Sequence, residues 1–397
     1  MVENAVEVSL TSASSQPTHA DVVILGGGAI GVSIAWNLAR KGVQNIVVLE
    51  RGEFGSGSSA KPLGGVRANF SDPANITLGQ RSLEIFRNFK KDFGIDIGLR
   101  KVGYLFLART EEEASGLSFA TSVQNELGIN SRNITAEQAL ELNPYLDPEV
   151  LVAGAFSPDD GYAQPARVVE GYVKAAQALG VTFLNHTEAL EAELGPNGVE
   201  SIRTNRGTIR TESAICATGA WSQGVGEMFG VDLPVEPVRR LIAFTPQREK
   251  PHPTVPFTLD LSTTFYYHNC NNGLLLGISH KQEPGFCREF SYDWTNELNA
   301  AAGIIAPSLQ NTEIVGGWAG LYENTPDHNA IIGRSEEVSN LFYATGFSGH
   351  GFLQSPAVGE LVADMYLGQE SFMDPTPFSV NRFSEADLTA TRELHII

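Results

Sequence analysis

One stretch near the start of the chain limits its possible folds more than any other: DVVILGGGAIGVSIAWNLARKGVQNIVVLER, from Asp21 to Arg51. It contains a short apolar run, glycines in G-x-G-x-x-G spacing, residues at helical intervals and a second apolar run that ends in an acid. This order predicts a strand, a tight turn, a helix and a second strand, as in a Rossmann-like βαβ unit. The stretch therefore predicts a dinucleotide site, with a purely structural glycine turn as the alternative.

The spacing assigns a physical role to each glycine of this fingerprint. Gly26 permits the tight turn, Gly28 lets the backbone approach a pyrophosphate, and Gly31 lets the helix pack closely on the strand. The helix N-terminus favours the phosphate charge. Glu50, about 20 residues further on, is expected to accept hydrogen bonds from ribose hydroxyls.

Length and charge narrow the class of protein. With 397 residues and 40 glycines, the chain is expected to form a turn-rich α/β protein of two domains. A formal net charge of −19 argues against nucleic acid or an anionic membrane surface as a partner, because both bind basic surfaces. No apolar run approaches the roughly 20 residues that span a bilayer, so no membrane span is expected.

The cysteine content and the first residues of the chain indicate the cellular compartment that is expected. The 3 cysteines show no CxxC pair or other metal-binding spacing, so no metal site is expected and a reducing, cytoplasmic setting is predicted. Residues 1–19 contain glutamates and lack the basic start of a signal peptide, which predicts a flexible tail.

A loop rich in glycine and serine, residues 52–73, follows the fingerprint where an NAD enzyme usually continues with alternating strands and helices. The same composition also suits a plain linker. Small residues at Ser58, Ser59, Gly64 and Gly65 let the backbone lie against a second large planar or phosphorylated group. The loop therefore favours an extended FAD over NAD.

Further motifs, in order along the chain, resemble the flavin amine oxidases, the family that includes D-amino acid oxidase, glycine oxidase and sarcosine oxidase. They are GSGSSA leading into GGVR, DDGYAQP, AICATGAWS, YENTPDHNAIIG and GFSGHGF. Within that family the chain is most similar to sarcosine oxidases, in particular their β-subunit type, and to the related proline and opine dehydrogenases.

The resemblance implies an α/β fold with α+β character, in which a Rossmann-like FAD-binding domain is interleaved with a β-rich substrate domain. The chain itself alternates between α/β and β-rich patterns, which agrees with discontinuous domains. The FAD-binding domain is expected over 20–95, 150–228 and 318–390, and the substrate domain over 96–149 and 229–317.

Carried over motif by motif, the resemblance assigns FAD contacts to several segments. They are Gly26, Gly28, Ala29, Ile30, Gly31, Glu50 and Arg51 of the fingerprint, Ser58, Ser59, Gly64, Gly65 and Val66 of the next loop, Ala189, Ala217, Thr218, Gly219, Trp221 and Gly320, and finally Gly346, Gly349, His350, Gly351, Phe352 and Leu353.

The GFSGHGF motif precedes a helical pattern, so backbone N–H groups and a positive helix end are expected to point at the flavin. Such donors stabilise the negative charge that hydride transfer leaves on the flavin. His350 of this motif is expected to be catalytic, with simple packing in a glycine turn as the alternative.

An amino-acid substrate carries a carboxylate, for which arginine is the best bidentate partner. The resemblance gives this catalytic and substrate-binding role to Arg67 of GGVR, with a structural salt bridge as the alternative. Two cations of the family are missing, since Tyr322 stands where glycine oxidases have arginine and Leu353 where sarcosine oxidases have lysine. His280, also a catalytic candidate, Tyr266 and Tyr322 complete the expected substrate contacts, although the aromatic strand around Tyr266 is also typical of core packing.

Two more departures from the family concern the cofactor and its reoxidation. Gly320 replaces the cysteine that tethers flavin in the monomeric enzymes, so non-covalent FAD is expected. Leu275 replaces a lysine that activates oxygen, so the electron acceptor is O2 or another acceptor, including a partner subunit.

The resemblance thus implies an FAD-dependent amine or amino-acid oxidoreductase that oxidises a secondary or N-methyl amino acid, sarcosine-like, proline-like or opine-like. Hydride passes to flavin N5 and an imine results, with no general base needed when the amine arrives uncharged. Three alternatives stay open: a D-amino acid or glycine-type oxidase, an NAD-dependent dehydrogenase, and an FAD-carrying electron-relay subunit of a heteromeric dehydrogenase.

Overall fold

The structure is a computed structural model that describes residues 16–61, 63–279, 281–384 and 393. Residues 1–15 of the expected tail lie outside this range, and the first strand begins at His19. The helices are α1 (Ala29–Arg40), α2 (Pro73–Phe93), α3 (Glu111–Glu126), α4 (Ala136–Leu142), α5 (Pro165–Ala178), α6 (Ser222–Met228), α7 (Thr295–Ile305) and α8 (Gly351–Leu367). The strands are β1 (His19–Leu25), β2 (Ile46–Leu49), β3 (Gly65–Val66), β4 (Tyr104–Ala108), β5 (Arg132–Ile134), β6 (Ala153–Ser157), β7 (Gly161–Tyr162), β8 (Thr182–Leu184), β9 (Ala189–Gly195), β10 (Gly198–Thr204), β11 (Gly207–Cys216), β12 (Glu236–Phe244), β13 (Phe257–Asp260), β14 (Tyr266–Cys270), β15 (Gly273–Gly277), β16 (Gly316–Asn324), β17 (Ile331–Arg334) and β18 (Leu341–Thr345).

The first sheet contains the predicted βαβ unit, β1-α1-β2. Its strand order is β17-β18-β11-β1-β2-β8, and β10 and β9 form a further antiparallel extension from β11. Strand β1 pairs in parallel with β2 and β11, so Leu25, Leu49 and Cys216 lie side by side at the same edge. The carboxyl ends of these strands therefore meet where α1 begins, which is where open α/β sheets bind ligands.

Helices cover one side of this sheet, and small residues let them approach closely. Helix α1 packs against α8 and α5, and α2 packs against α8. A Cβ on Gly359 of α8 would lie 2.1 Å from Ser33 Oγ of α1, so the α1–α8 contact requires glycine at that position. Over the stretches of chain described above, no helix has both the length and the apolar character to cross a bilayer.

The second sheet has the order β16-β12-β15-β14-β13-β4-β6-β5. Its strands are antiparallel to their neighbours except that β13 runs parallel to β4. The β-rich range expected over 229–317 contains β12–β15 and the start of β16, although helix α7 also lies there, between β15 and β16, and buries Leu298 and Ile305 against this sheet. Strand β6 and most of β16 fall in ranges expected for the FAD-binding domain yet pair in this second sheet. The domain boundaries remain a prediction.

A short two-stranded sheet, β3 with β7, joins the glycine-serine loop to the DDGY motif. Gly65 pairs with Tyr162, and Val66 pairs with Gly161. A Cβ on Gly161 would lie 1.9 Å from the Arg100 carbonyl oxygen, so the DDGY turn requires glycine there. This small sheet fixes the backbone immediately before Arg67.

Candidate active site

A cavity of about 650 Å³ lies at the carboxyl edge of the first sheet. The fingerprint supplies its floor through Gly26, Gly28 and Ala29, and Glu50 and Arg51 line it beyond β2. Residues from the start of β9 and the end of β11 complete it, among the predicted ones Ala189, Ala217, Thr218, Gly219 and Trp221. The sequence-predicted contacts to the adenosine half of a dinucleotide thus converge on one cavity.

The fingerprint glycines are required by close backbone approach. A Cβ on Gly26, which has φ +105°, would lie 2.3 Å from the Ala217 carbonyl oxygen. A Cβ on Gly31 would lie 2.0 Å from the Gly26 carbonyl oxygen, so α1 can approach the β1 turn only with glycine at this position. Both glycines therefore shape the cavity without side chains of their own.

The N-terminus of α1 points into this cavity. Gly28 precedes the helix and provides no side-chain cap, and the Ala29 N–H donates to Ser59 Oγ at 2.8 Å. Free first-turn N–H groups and the helix dipole favour an anion. A pyrophosphate is the anion that a dinucleotide would place there.

Glu50 is held rigidly at the end of β2. Its carboxylate accepts from the Gly27 N–H at 3.0 Å and from the Gly52 N–H at 2.8 Å. Burial raises the pKa of Glu50, while the hydrogen bonds from Gly52 and Gly27 oppose that increase. A carboxylate fixed in this way at the cavity wall suits hydrogen bonding to ribose hydroxyls.

An aromatic and cationic group forms the outer rim of the first cavity. The Arg51 guanidinium lies 4.0 Å from the centre of the Trp221 ring, and Phe286 stacks on the same indole at 5.8 Å. Arg288 donates to the Ser56 carbonyl oxygen at 2.8 Å and lines the cavity. Phe286 and Arg288 belong to the segment after β15, far from any fingerprint, so no sequence motif indicated their place at this rim.

A second, smaller cavity of about 110 Å³ adjoins the first. Both are lined by Ala29, Ile30, Ser58, Ser59 and Glu323, so the two cavities meet at these residues. The predicted residues that line the second cavity are Gly65, Arg67, Tyr266, Gly320, Tyr322, Gly349, His350, Gly351, Phe352 and Leu353. A long site of two chambers, with a helix N-terminus between them, fits FAD better than a shorter ligand.

Arg67 and His350 are brought together in the second cavity from 283 positions apart in the chain. Arg67 is 2% exposed, and its Nη1 donates to the Asn69 carbonyl oxygen at 3.1 Å. Its Nη2 lies 3.3 Å from His350 Nε2, and because a guanidinium only donates, the imidazole nitrogen accepts. The Phe70 ring lies beneath the guanidinium at 4.0 Å and packs edge-on against His350 at 4.9 Å.

The GFSGHGF loop places His350 immediately before α8. Gly349 has φ +97°, and a Cβ there would lie 2.6 Å from the Tyr322 ring, so the turn is possible only with glycine. The loop and the N-terminus of α8 therefore face the second cavity, as the motif predicted.

A buried carboxyl at the junction of the two cavities was missed by the sequence analysis. Glu323 of β16 accepts from the Gly346 N–H and from Thr345 Oγ1, each at 3.1 Å. Burial raises the pKa of Glu323 to about 7. A glutamate within the otherwise apolar strand AGLYEN is the one signal that would have revealed it.

Aromatic rings form the walls of the second cavity. Tyr104 and Phe257 stack with their centres 4.2 Å apart, and Tyr266 and Tyr322 complete the enclosure. Burial raises the pKa of Tyr266 and of Tyr322, so both phenols are uncharged. Arg240 of β12 also lines this cavity and was not predicted.

Some predicted residues do not line either cavity. They are Gly31, Gly64, Val66 and Gly346. Gly31 and Gly64 allow close backbone packing, with a Cβ on Gly64 lying 2.1 Å from the Ala163 carbonyl oxygen. The Gly346 N–H bonds to Glu323, and His280 lies outside the described residues.

Comparison with known proteins agrees with this geometry. The family model for FAD dependent oxidoreductases matches residues 21–365. Glycine oxidase of Geobacillus kaustophilus is 31% identical over 376 residues, which cover 91% of this chain and 97% of that protein. Mitochondrial dimethylglycine dehydrogenase of Rattus norvegicus is 27% identical, and this chain spans 46% of its length.

Among solved structures, L-proline dehydrogenase from P. horikoshii superposes with a TM-score of 0.88 at 31% sequence identity, covering 93% of this chain and 99% of that one. The predicted fold class, the FAD cofactor and the class of enzyme, an amine or amino-acid oxidoreductase, are confirmed, and the NAD alternative is set aside. The family match over residues 21–365 and this likeness in structure together show that the chain belongs to the FAD-dependent oxidoreductase family.

Proposed function

We propose that this chain oxidises a secondary or N-methyl amino acid to the corresponding imine. The observation that carries the proposal is the buried Arg67 guanidinium in a small aromatic cavity that continues into the dinucleotide cavity. A guanidinium held beside a ring-lined space suits an amino acid with a carbon substituent on its amine nitrogen. Two of the relatives support the same class by name, since dimethylglycine is an N-methyl amino acid and L-proline a secondary one, whereas the name glycine oxidase favours the glycine-type alternative.

The chain's own residues would bind and orient the substrate. Arg67, fixed by Asn69 and by the Phe70 ring, presents its guanidinium to the substrate carboxylate. The Tyr104, Phe257 and Tyr266 rings exclude water, which favours the uncharged and reactive form of the amine. Bound FAD supplies the hydride acceptor for the C–H bond next to the amine nitrogen.

His350 has a positioning role in this proposal. Its Nε2 accepts from Arg67, which fixes the guanidinium from the side of α8. The N-terminal turn of α8 then directs N–H groups into the same cavity, where they stabilise negative charge on the cofactor side.

We propose that the first cavity binds the adenosine and pyrophosphate of FAD and that the second receives its ring and the substrate. Gly320 offers no thiol for a covalent bond to the flavin, which supports non-covalent binding. Its absent side chain leaves the space beside Lys61, whose Cβ would lie 2.9 Å from a Cβ on Gly320. The three cysteines are free thiols, in keeping with a reducing compartment such as the cytoplasm.

Bleaching of the flavin absorption under anaerobic conditions tests the reaction without assuming an electron acceptor. The holoprotein is mixed with sarcosine, N-methylalanine, proline, an opine, glycine and D-alanine in separate samples. Rapid bleaching by any of the first four and not by the last two supports the proposal. Bleaching by glycine or D-alanine alone establishes the D-amino acid or glycine-type oxidase, and no bleaching by any of them supports an electron-relay subunit.

Readmission of air to the bleached sample then identifies the acceptor class. Leu275 offers no cation to activate oxygen, so slow recovery of colour in air and fast recovery with an artificial acceptor are expected. Fast recovery in air would establish an oxidase.

A further inference from the structure

A second arginine of the small cavity has no role in the proposed reaction so far. Arg240 lies in the middle of β12, opposite Gly320 of β16, and its side chain lines the second cavity. Its Nη1 donates to the Arg239 carbonyl oxygen at 3.2 Å, and its Cζ lies 5.1 Å from the centre of the Tyr322 ring. Its Nε is buried without a hydrogen-bond partner in the part of the chain that the structure describes.

The neighbouring residue on the same strand shows how a structural arginine is satisfied. Arg239 points to the opposite face of β12, where its Nε donates to Gln282 Oε1 at 2.8 Å and its Nη1 to the Glu289 carbonyl oxygen at 3.2 Å. Among the described residues the guanidinium of Arg240 has a backbone carbonyl and the Tyr322 ring as neighbours and no carboxylate partner, so the part of it that lines the cavity can pair with an anionic ligand there. The contrast with Arg239 therefore indicates that Arg240 is available to bind an anionic ligand.

The charged residues that line the cavity indicate which kind of anionic ligand it would bind. Its described lining residues include the cations Lys61, Arg67 and Arg240 and a single carboxyl, Glu323. Burial raises the pKa of Glu323 to about 7, so this carboxyl carries only part of a negative charge in neutral solution and does not balance three cations. A monocarboxylate with an uncharged amine offers one negative charge to this site, and a dicarboxylate offers two.

Tyr322 is close to both guanidinium groups. Its ring is beside Arg240, and both Arg240 and Arg67 oppose the burial that raises the pKa of its hydroxyl. The two arginines thus face one compartment from two strands, Arg67 following β3 and Arg240 within β12. A ligand that spans the compartment can reach both.

We propose that Arg240 binds a second carboxylate and that the substrates are N-carboxyalkyl amino acids, secondary amines with a carboxylate on each side of the nitrogen. The inference rests on the proposed function, because it takes the amine and the carboxylate at Arg67 as given. Arg240 is a specificity-determining residue that selects for the charge on the nitrogen substituent. Amino acids with an apolar nitrogen substituent bind more weakly since they leave Arg240 unpaired.

Ether analogues test this without turnover, because they have no amine to oxidise. Dissociation constants of oxydiacetate and of methoxyacetate for the holoprotein are measured from the change in flavin absorption. The wild-type protein is expected to bind oxydiacetate at least tenfold more tightly than methoxyacetate. Arg240→Met is expected to reduce this ratio to below threefold by weakening oxydiacetate alone, and Arg240→Lys to restore part of it.

Arg239→Met is the matched control, since it removes the same charge from the other face of the strand. It is expected to leave the ratio as in the wild type. Flavin content and thermal unfolding of each variant establish that it is folded. An equal effect of Arg240→Met on both ligands, a wild-type ratio near one, or an altered flavin spectrum with an unchanged ratio would each overturn the role of Arg240.

Flavin bleaching by amines distinguishes a failure of the role of Arg240 from a failure of the proposed reaction. Bleaching by N-methylalanine together with a ratio near one overturns the role of Arg240 and leaves the proposed reaction standing. A high ratio that Arg240→Met abolishes, without bleaching by N-(carboxymethyl)alanine or any other amine, supports the dicarboxylate site and overturns the proposed reaction.

Discussion

Replacing Glu323 by glutamine removes an ionisable group from the junction of the two cavities and keeps its size. Because burial raises the pKa of Glu323 from 4.5 to about 7, the folded protein holds this proton more tightly than the unfolded chain. The stability that this proton contributes is complete below pH 4.5 and is lost as the pH rises towards 7. At 1.36 kcal/mol per pKa unit, the loss is about 3 kcal/mol. An anionic cofactor beside the carboxyl raises the pKa further, so the sign is the same with FAD bound.

Glutamine keeps the two hydrogen bonds that Glu323 accepts, since its amide oxygen can take both the Gly346 N–H and the Thr345 hydroxyl. Glu323→Gln is therefore expected to be more stable than the wild type at pH 8.5 by up to about 3 kcal/mol, and by less than about 1 kcal/mol at pH 5. Urea unfolding followed by tryptophan fluorescence at a fixed excess of FAD measures both differences.

The exposed Glu236, at the start of β12, provides the matched control through Glu236→Gln. It reports the effect of losing one surface carboxylate at each pH. The same stability difference at pH 5 and pH 8.5 would contradict a raised pKa for Glu323. So would a Glu323→Gln variant that is less stable than the wild type at pH 8.5.

Three further changes probe the cofactor site, the substrate site and the scaffold. Gly31→Ala forces a Cβ to within 2.0 Å of the Gly26 carbonyl oxygen and is expected to cost about 1–3 kcal/mol of unfolding free energy and lower the bound FAD, whereas Gly116→Ala, in open space on α3, is expected to be neutral or stabilising in urea unfolding. Arg67→Met is expected to weaken carboxylate binding by roughly 30–1000-fold in anaerobic titrations, and unchanged half-saturation would remove Arg67 from that role. Asp327→Asn breaks a buried pair with Arg382 at 2.8 Å and is expected to cost about 3–5 kcal/mol by urea unfolding, with a loss below about 1 kcal/mol contradicting the importance of the pair.

The sequence predicted best those features whose cause is local. The βαβ unit depends on apolar runs and on glycine spacing within 31 residues, and it forms as expected. The start of α4 is just as local, since Thr135 Oγ1 accepts from the Gln138 N–H and the Gln138 side chain accepts from the Thr135 N–H, as the sequence TAEQ specifies. The capping signal is complete within one helical turn and the βαβ signal within one short segment, so neither depends on contacts between distant parts of the chain.

Features produced by the meeting of distant strands could not be predicted from the sequence. Arg240 and Glu323 look like ordinary polar residues of two strands, and only the pairing of β12 with β16 brings both to the small cavity. Phe286 and Arg288 reach the rim of the large cavity from the segment after β15, which no local pattern connects to the fingerprint. The motifs located the cofactor end of the site, while its substrate end depends on register and topology.

The parallel pairings of the first sheet set a limit on when the cofactor can be received during synthesis. Strand β1 is made well before its partner β11, which ends at Cys216, and before β18, the next strand beyond β11, which ends at Thr345. When only the fingerprint has emerged from the ribosome, the phosphate-binding turn therefore lacks the side of its cavity that the end of β11 forms. The first sheet is complete only after Thr345 has emerged, so apolar strand edges stay exposed in the nascent protein until then. FAD has its largest effect after this point, because it binds the folded form and shifts the folding equilibrium of newly made chains towards it.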